Sequence, residues 1–440
     1  MLECIVTKFG GSSLASDEQF KKVRSILELE PTRRFLVPSA PGKRFKEDEK
    51  VTDLLYLCHT LKNDGKPFTD EFAKIRERYL SIARGLNLKV DIESALQEVE
   101  DGIASGKNRS WCASRGEYLC GLLMADYLGW RFLDAADGIV FDDDGRLDDQ
   151  ATQEKLSAAL ADGKSTVVPG FYGAKRNGEV CTFSRGGSDI TGALVARAVK
   201  ADVYENWTDV SGFLMAYPRI VESPAEISSI TSKELRELSH MGASVLHEDA
   251  MFPVHRAGIP TNIRNTNKPY HPGTMISKNA PNEISVPTIT GIAGHKGYSV
   301  ISVEKNMMNS EVGFGRKVLQ VLENYGVSFE HMPTGIDSMC VVVSSPALEP
   351  HRVEILREIE ALVEESGSVS VSDNMSIIAT VGRGMVHNCG TAARLFKAMS
   401  RARINVRMID QGSSELSIIV GVNDSDFEAT IHAIYHEFVE

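Results

Sequence analysis

Closely spaced cysteine pairs are missing from this chain. Its seven cysteines are scattered from Cys4 to Cys389 with no CxxC, which argues against a disulfide framework or a thiolate zinc site and for free thiols in a reducing compartment, the cytoplasm by default. No stretch approaches the roughly 20 apolar residues needed to cross a bilayer. The opening "MLECIVTK" has no basic segment followed by an apolar one, so secretion is not expected. An excess of positive charge is also lacking: the formal net charge is −12, which excludes nucleic acid and anionic membrane as natural partners and requires any bound anion to be held locally. The GxxxxGK[ST] signature of P-loop enzymes does not occur. The eleven histidines are read as forming no HxxxH pair or close Cys/His cluster; His247 and His255 in "VLHEDAMFPVH" are expected to be structural, and no metal held by protein ligands is expected.

What is present is organised. At 440 residues, 42% hydrophobic and 25% charged, the chain is long enough for two or three domains. To about residue 265, short β-rich runs such as "RRFLVPSA", "KSTVVPGF" and "ADVYENWTDV" alternate with amphipathic helices, an α/β sandwich pattern. Proline, glycine and asparagine then accumulate in "NKPYHPGTMISKNAPNEISVP", placing a boundary near Pro281. The tail repeats itself. "GFGRKVLQVLENYGVSFEHMPTGIDSMCVVV" from Gly313 aligns without a gap over "GTAARLFKAMSRARINVRMIDQGSSELSIIV" from Gly390, pairing Leu319 with Phe396, Val327 with Ile404 and Gly335 with Gly412. Each copy has its own preceding strand, "YSVISVEK" or "MSIIATVG", so two βαββαβ modules are expected, with sheet edges that pair within or between chains.

Four constellations in the first half carry chemistry. "TKFGGSS" follows the first β-rich run, which is where α/β sheets present ligand loops. Adjacent glycines let N–H groups approach an anion and Lys8 supplies charge, so a phosphate fits; the alternative is a plain strand-to-helix turn before a capping box from Ser16 to Gln19. "TFSRGGSDITGALVARA" repeats the design, with Arg185, Gly186, Gly187, Ser188 and Asp189 opening a helix; an arginine fork suits a carboxylate, while the alternative makes Asp189 a cap and Arg185 surface charge. In "WTDVSGFLMAYPRIV", Thr208 and Asp209 open a turn that could hold a base or ribose, although Trp207 alone reads more readily as core. "SRGEYLCGLLMADYLG" places Glu117 on what reads as the first turn of an apolar helix, either as a dipole cap or as a receiver of an ammonium group.

At these residues the chain resembles the aspartate kinases, the monofunctional kind with a regulatory tail. "KFGGSS", "SRGE", "PGFYG" with "SRGGSDITGALVA", and "WTDVSGFLMAYPRIV" occur in order, joined by "GASVLH" and "IRNTNKPYHPGT", and "QGSSELSIIV" resembles the family's ACT modules. The resemblance covers residues 3 to 438 and implies an amino-acid kinase fold over residues 1–281. Two ferredoxin-like ACT modules would follow over 287–440, the first about 305–370 and the second about 287–304 with 372–440.

The implied reaction moves the ATP γ-phosphoryl group to the side-chain carboxylate of L-aspartate, with Mg2+, for the lysine, threonine and methionine routes. By matching positions, Lys8, Phe9, Gly10, Gly11 and Ser12 would meet the γ-phosphate. Arg185 would grip the aspartate α-carboxylate and Glu117 its ammonium; Ser39, Thr52, Gly186, Gly187, Ser188 and Asp189 would line the substrate pocket, and Thr208, Asp209, Leu214 and Arg219 would hold nucleotide. An effector amino acid, lysine by preference and threonine as a second candidate, is expected at Met308, Ser310, Gly313, Phe314, Gly315, Phe329, Glu330 and Asp337. A homodimer through the ACT modules, with a tetramer as a further option, is also implied. Two positions depart from the family: Tyr217 stands where an aspartate is usual before "PR", and Ser244 where many members have lysine. The charged loop 41–51 reads as either lid or surface. Competing readings are a sister kinase acting on glutamate, carbamate or uridylate, and a catalytically inactive amino-acid sensor.

Overall fold

The computed structural model describes residues 3–184, 186–242, 248–278, 287–363 and 367–439. The chain divides into two compact units: Met1–Phe213 with Ser228–Ser232 and Val245–Pro281, and Leu214–Ile227 with Lys233–Ser244 and Asn282–Glu440. No helix among the described residues is long and apolar enough to cross a membrane.

The first unit is built on an eight-stranded sheet in the order Ser229–Thr231, Thr274–Ser277, Thr261–Asn265, Val203–Thr208, Ile5–Phe9, Arg33–Pro38, Thr166–Val167, Arg131–Phe132. Its described pairings are parallel except that of Thr261–Asn265 with Thr274–Ser277. Ile5–Phe9 is buried along its whole length, as a central strand of a doubly covered sheet must be. Side chains alternate across the sheet. Phe9 and Leu36 enter one core with Phe20, Val23 and Ile26 of helix Asp17–Glu28, Leu55 of Val51–Asn63 and Leu119 and Leu123 of Arg109–Leu128. Lys8, one residue earlier than Phe9, emerges on the opposite face, where helix Gly187–Ala198 begins. Helix Asp17–Glu28 is capped by Ser16, whose Oγ accepts from the Gln19 N–H at 3.4 Å; the reciprocal bond of a capping box is not made, as Gln19 Oε1 has no partner.

The second unit carries a six-stranded sheet, Phe329–His331, Ser338–Ser344, Gly291–Lys305, Gly367–Val381, Ser417–Asn423, Met408–Asp410. Gly291–Lys305 and Gly367–Val381 are 15 residues each and run antiparallel through both repeats. Tyr298–Glu304 pairs with Ser338–Ser344, and Met375–Val381 pairs with Ser417–Asn423. Residues 298–304, expected in the second module, therefore belong to the first, and Gly291–His295 completes the second by pairing with Ile377–Val381. The repeat holds in detail at the helices: Phe314–Asn324 and Thr391–Arg401 each follow a left-handed glycine, Gly313 at φ 85° and Gly390 at φ 86°. Beyond them, the second copy's last strand begins two residues later than the ungapped alignment places it, a shift that preserves which side chains face the core.

Two segments from inside the expected kinase region group with this second unit. Ala216 and Val221 are buried in the core of the second repeat with Ile289, Ile378 and Leu395. Tyr217 explains its own departure from the family pattern: its hydroxyl shares its one proton between the carbonyls of Met241 and Gly294, each 3.0 Å away, and accepts from the Gly294 N–H at 3.1 Å. A phenol has the reach and the apolar body for that half-buried post, which a carboxylate lacks.

Candidate active site

The carboxyl ends of two adjacent parallel strands, Ile5–Phe9 and Val203–Thr208, meet the head of helix Gly187–Ala198 in one charged cluster. Lys8 and Asn206 are register partners on adjacent strands. Lys8 Nζ lies 2.6 Å from Asp189 Oδ1 and 3.4 Å from Asn206 Oδ1, while Asn206 Nδ2 donates to the same Asp189 oxygen at 2.8 Å. Lys8 is only 8% exposed, so this pair holds a buried charge in a ready position. Asp189 makes no capping bond at its helix start, which removes the capping alternative. Asn206 was missed in the sequence, since only the register of Val203–Thr208 on Ile5–Phe9 sets it beside Lys8.

The glycine turn departs from its expected use. The Gly10 N–H donates to the Trp207 carbonyl at 3.0 Å, so that group is engaged within the fold; Gly11 and Ser12 open the short turn Gly11–Leu14. Gly11 is a glycine because of close approach: a Cβ there would sit 2.8 Å from the Ala40 carbonyl. Opposite it, the Gly42 N–H donates to the Gly11 carbonyl at 2.8 Å. Gly42 is fixed in turn by Arg78, whose Nη1 donates to its carbonyl at 2.7 Å while Nη2 meets Asp48 at 2.6 Å; Arg44 Nε holds the same carboxylate at 2.9 Å. These guanidinium contacts hold the Asp48 carboxyl well below the usual range. Loop 41–51 is thus anchored by a nearly buried carboxylate, which neither a lid nor simple surface requires.

Glu117 lies near the middle of helix Arg109–Leu128, which is capped by Asn108. It is not on the first turn, so helix-dipole capping does not explain it. The side chain is 5% exposed, Oε2 has no hydrogen-bond partner, and burial raises its pKa to about 8 against the opposing pull of the Ala40 N–H. A carboxylate buried with one oxygen unsatisfied is costly to the fold and calls for an explanation beyond packing. The rest of "SRGE" supports it: Ser114 Oγ donates to the Trp111 carbonyl at 2.7 Å, and the Arg115 guanidinium packs over Trp111, Tyr118 and Tyr172 at 5.0, 4.4 and 5.3 Å.

The other expected residues fall as follows. Ser39 N–H bonds the Phe9 carbonyl at 3.1 Å, beside the glycine turn, and Thr52 is half-buried at the start of Val51–Asn63. Gly186 is left-handed at φ 59°, and Gly187 and Ser188 are buried at the head of helix Gly187–Ala198. Arg185, Ser244 and His247 lie outside the described residues. Thr208 Oγ1 meets Asp209 Oδ1 at 3.1 Å, and Asn265 Nδ2 donates to the Asp209 carbonyl at 3.2 Å. Trp207 is fully buried, stacked on Phe9 at 5.7 Å, with its indole N–H donating to Glu205 at 2.8 Å; it is core, as the plain reading had it. Leu214 and Arg219 belong to the second unit and are exposed there.

In the second unit, Met308 and Phe314 are buried, whereas Ser310 and Phe329 are exposed. The Phe314 N–H donates to Glu311 at 3.2 Å, so it is already engaged. Gly313 is exposed and Gly315 half-buried on the same turn. Glu330 Oε2 lies 2.9 Å from His240 Nε2, and Asp337 Oδ1 accepts from the Met307 N–H at 2.8 Å. One expectation fails outright: His432 and His436 form an HxxxH pair on helix Phe427–Val439.

Comparison with known proteins adds the following. The amino acid kinase family pattern matches residues 3–265 and the ACT domain pattern residues 378–438. Aspartokinase 3 of Bacillus subtilis is 38% identical, covering 98% of this chain and 98% of its own. The crystal structure of Clostridium acetobutylicum aspartate kinase superimposes with a TM-score of 0.92 at 50% identity, covering 99% of this chain and 100% of its own. Escherichia coli aspartokinase III in complex with aspartate and ADP shares the fold at a TM-score of 0.74 and 24% identity, over 100% of both chains.

Proposed function

Because the chain belongs to the aspartokinases of the amino acid kinase family, phosphotransferases with a carboxyl acceptor, we propose that it phosphorylates the β-carboxylate of L-aspartate with ATP, giving 4-phospho-L-aspartate. The observation that carries the substrate is Glu117, a buried carboxylate with one unpartnered oxygen, which selects a ligand bearing an ammonium group. The acceptor carboxylate, with an ordinary pKa near 3.9, is ionised at neutral pH and attacks the γ-phosphorus without a general base; the bond from that phosphorus to the β,γ-bridging oxygen breaks and ADP leaves. Lys8 stabilises charge on the transferred group and Asp189 with Asn206 keeps its ammonium aimed. Arg185 is assigned to the α-carboxylate, Ser39, Thr52 and Ser188 to the substrate pocket, and Thr208 and Asp209 to nucleotide. No group of three metal-binding side chains occurs among the described residues, so Mg2+ would be held chiefly by the ATP phosphates, where it supplies charge neutralisation.

The Clostridium relative is described as an allosteric enzyme, and the same property is proposed here, with an end-product amino acid as effector and lysine favoured. Glu330 supports this choice: its carboxylate already pairs with a nitrogen partner, the His240 imidazole at 2.9 Å, which a lysine side chain would have to displace. Exposed Phe329 and Ile409 on the outer strands, with Met307, Val312 and Ile336 nearby in sequence, support self-association through this region. The test of substrate is trapping of the acyl phosphate with hydroxylamine in the presence of ATP and Mg2+. L-Aspartate should give hydroxamate and L-glutamate should not; hydroxamate from glutamate alone would assign a sister kinase, and none from either the inactive sensor.

A further inference from the structure

Resting on the role of Lys8 given above, we propose that Glu205 is a positioning residue for phosphoryl transfer, which holds in register the strands that carry Lys8 and Asn206. Lys8 and Asn206 are register partners on one face of the sheet, so Phe9 and Trp207, the next pair, lie on the other. Glu205, two residues before Trp207, shares that second face and is 3% exposed. Its carboxylate accepts four bonds: Arg33 Nε and the Trp207 indole N–H reach Oε2 at 2.8 Å each, while Arg33 Nη2 and Arg264 Nη1 reach Oε1 at 3.0 and 3.2 Å. The two guanidiniums stand over the Trp207 ring at 5.3 and 4.6 Å. Arg33 and Arg264 come from Arg33–Pro38 and Thr261–Asn265, the strands on either side of the pair formed by Ile5–Phe9 and Val203–Thr208. One carboxylate therefore spans four adjacent strands, on the face of the sheet behind Lys8.

Such a cluster is a poor route to stability. Buried ion triads are often matched or exceeded by apolar side chains of similar volume, so two cations around one buried anion call for another reason. The remaining bonds of the guanidiniums supply it. Arg33 Nη1 donates to the Ile26 carbonyl at 2.6 Å, and Arg264 Nη2 to the carbonyls of Pro269 and His271 at 2.9 and 3.2 Å. The segment that Arg264 holds begins at Thr266, whose N–H donates to the Thr208 carbonyl at 2.9 Å and whose hydroxyl meets Ser13 Oγ at 2.7 Å. Ser13 lies in the turn Gly11–Leu14. Glu205 thus joins the three loops that follow Phe9, Thr208 and Asn265 at the carboxyl edge of the sheet, and it fixes the strand pair from which Lys8 and Asn206 reach Asp189.

The test compares Glu205→Gln with the parent chain, since glutamine keeps the shape and removes the charge. Brief acetylation followed by peptide mass spectrometry reads Lys8 directly. Its labelling should be at least about 10-fold faster in the variant, as the strand pair opens locally, with exposed Lys164 unchanged. In the hydroxamate assay kcat should fall about 10- to 100-fold while the KM values for aspartate and ATP stay within about twofold. Because Glu205 acts through Lys8, adding Glu205→Gln to Lys8→Ala should lower kcat no further. Arg264→Met leaves Arg33 and Glu205 as a neutral pair and should show both effects more weakly, which keeps the test in force if the glutamine variant does not fold by its melting temperature. Unchanged Lys8 labelling and kcat in the folded variants, or equal losses of kcat with and without Lys8, would make the cluster a stability device and overturn the proposal. No hydroxamate from the parent chain would remove the aspartate reading, and the labelling of Lys8 would still decide the role of Glu205.

Discussion

Glu117 should make aspartate binding depend on pH in a way no exposed carboxylate could. With its pKa at about 8, the empty site holds the side chain protonated at neutral pH, and the substrate's ammonium group must drive that proton off to form an ion pair. The α-ammonium of a free amino acid stays protonated below pH 8, so only the enzyme's group titrates. The ionised fraction rises with pH, and the KM for aspartate should fall roughly 15-fold between pH 6.5 and 8, then level off, while the KM for ATP changes little. Glu117→Gln should abolish this slope and raise the aspartate KM about 10²-fold, the scale expected when one partner of a buried charge pair is removed. The same shift has an opposite reading in stability. An acid whose folded pKa lies above its ordinary 4.5 makes the fold less stable as pH rises from that value to about 8. The full difference corresponds to roughly 5 kcal/mol, so the glutamine variant should be increasingly more stable than the parent between pH 5 and 8. Paired thermal melts and aspartate saturation curves across this range are the assay. An aspartate KM flat with pH in the parent, or a slope retained by the glutamine variant, would refute the role of Glu117.

Two other perturbations test the supporting structure. Arg78→Met leaves the nearly buried Asp48 with Arg44 alone and releases the Gly42 carbonyl, so urea unfolding should show a loss of about 3 kcal/mol, and kcat should fall with the misplaced glycine turn. Wild-type stability in this variant would mean that Asp48 anchors nothing. His240→Ala removes the partner that competes for Glu330; lysine should then bind more tightly by calorimetry yet inhibit less completely, because the pair it must break no longer connects helix Ser232–His240 to the effector strand. Unchanged binding and inhibition would place the effector elsewhere.

The architecture was legible wherever local pattern and packing agree. The N-cap at Ser16, the buried run at Ile5–Phe9 and the paired glycines Gly313 and Gly390 each follow from short-range rules, although the reciprocal half of the Ser16 to Gln19 capping box is not made. Long-range partners were not. Nothing near Lys8 in sequence names Asp189 or Asn206, and only the parallel register of two strands brings them together. Glu117 was read onto the first turn of its helix and lies near its middle, because the helix begins earlier, at the Asn108 cap. Tyr217 read only as a departure from the family pattern, and is a hydrogen-bonded tie within the second unit. The division between modules was blurred because both long strands serve two repeats at once.

The most direct test of the central claim follows the γ-phosphoryl group itself. With ATP labelled at that position, Mg2+ and L-aspartate, the wild-type chain should move label into an acid-stable but hydroxylamine-sensitive aspartyl phosphate. Lys8→Ala, folded by its melting temperature, should do so with kcat lowered about 10²-fold or more, since a preorganised charge on the transferred group supplies roughly 3 kcal/mol. Label released only as inorganic phosphate regardless of aspartate, or transfer at equal rates by both proteins, would contradict the account.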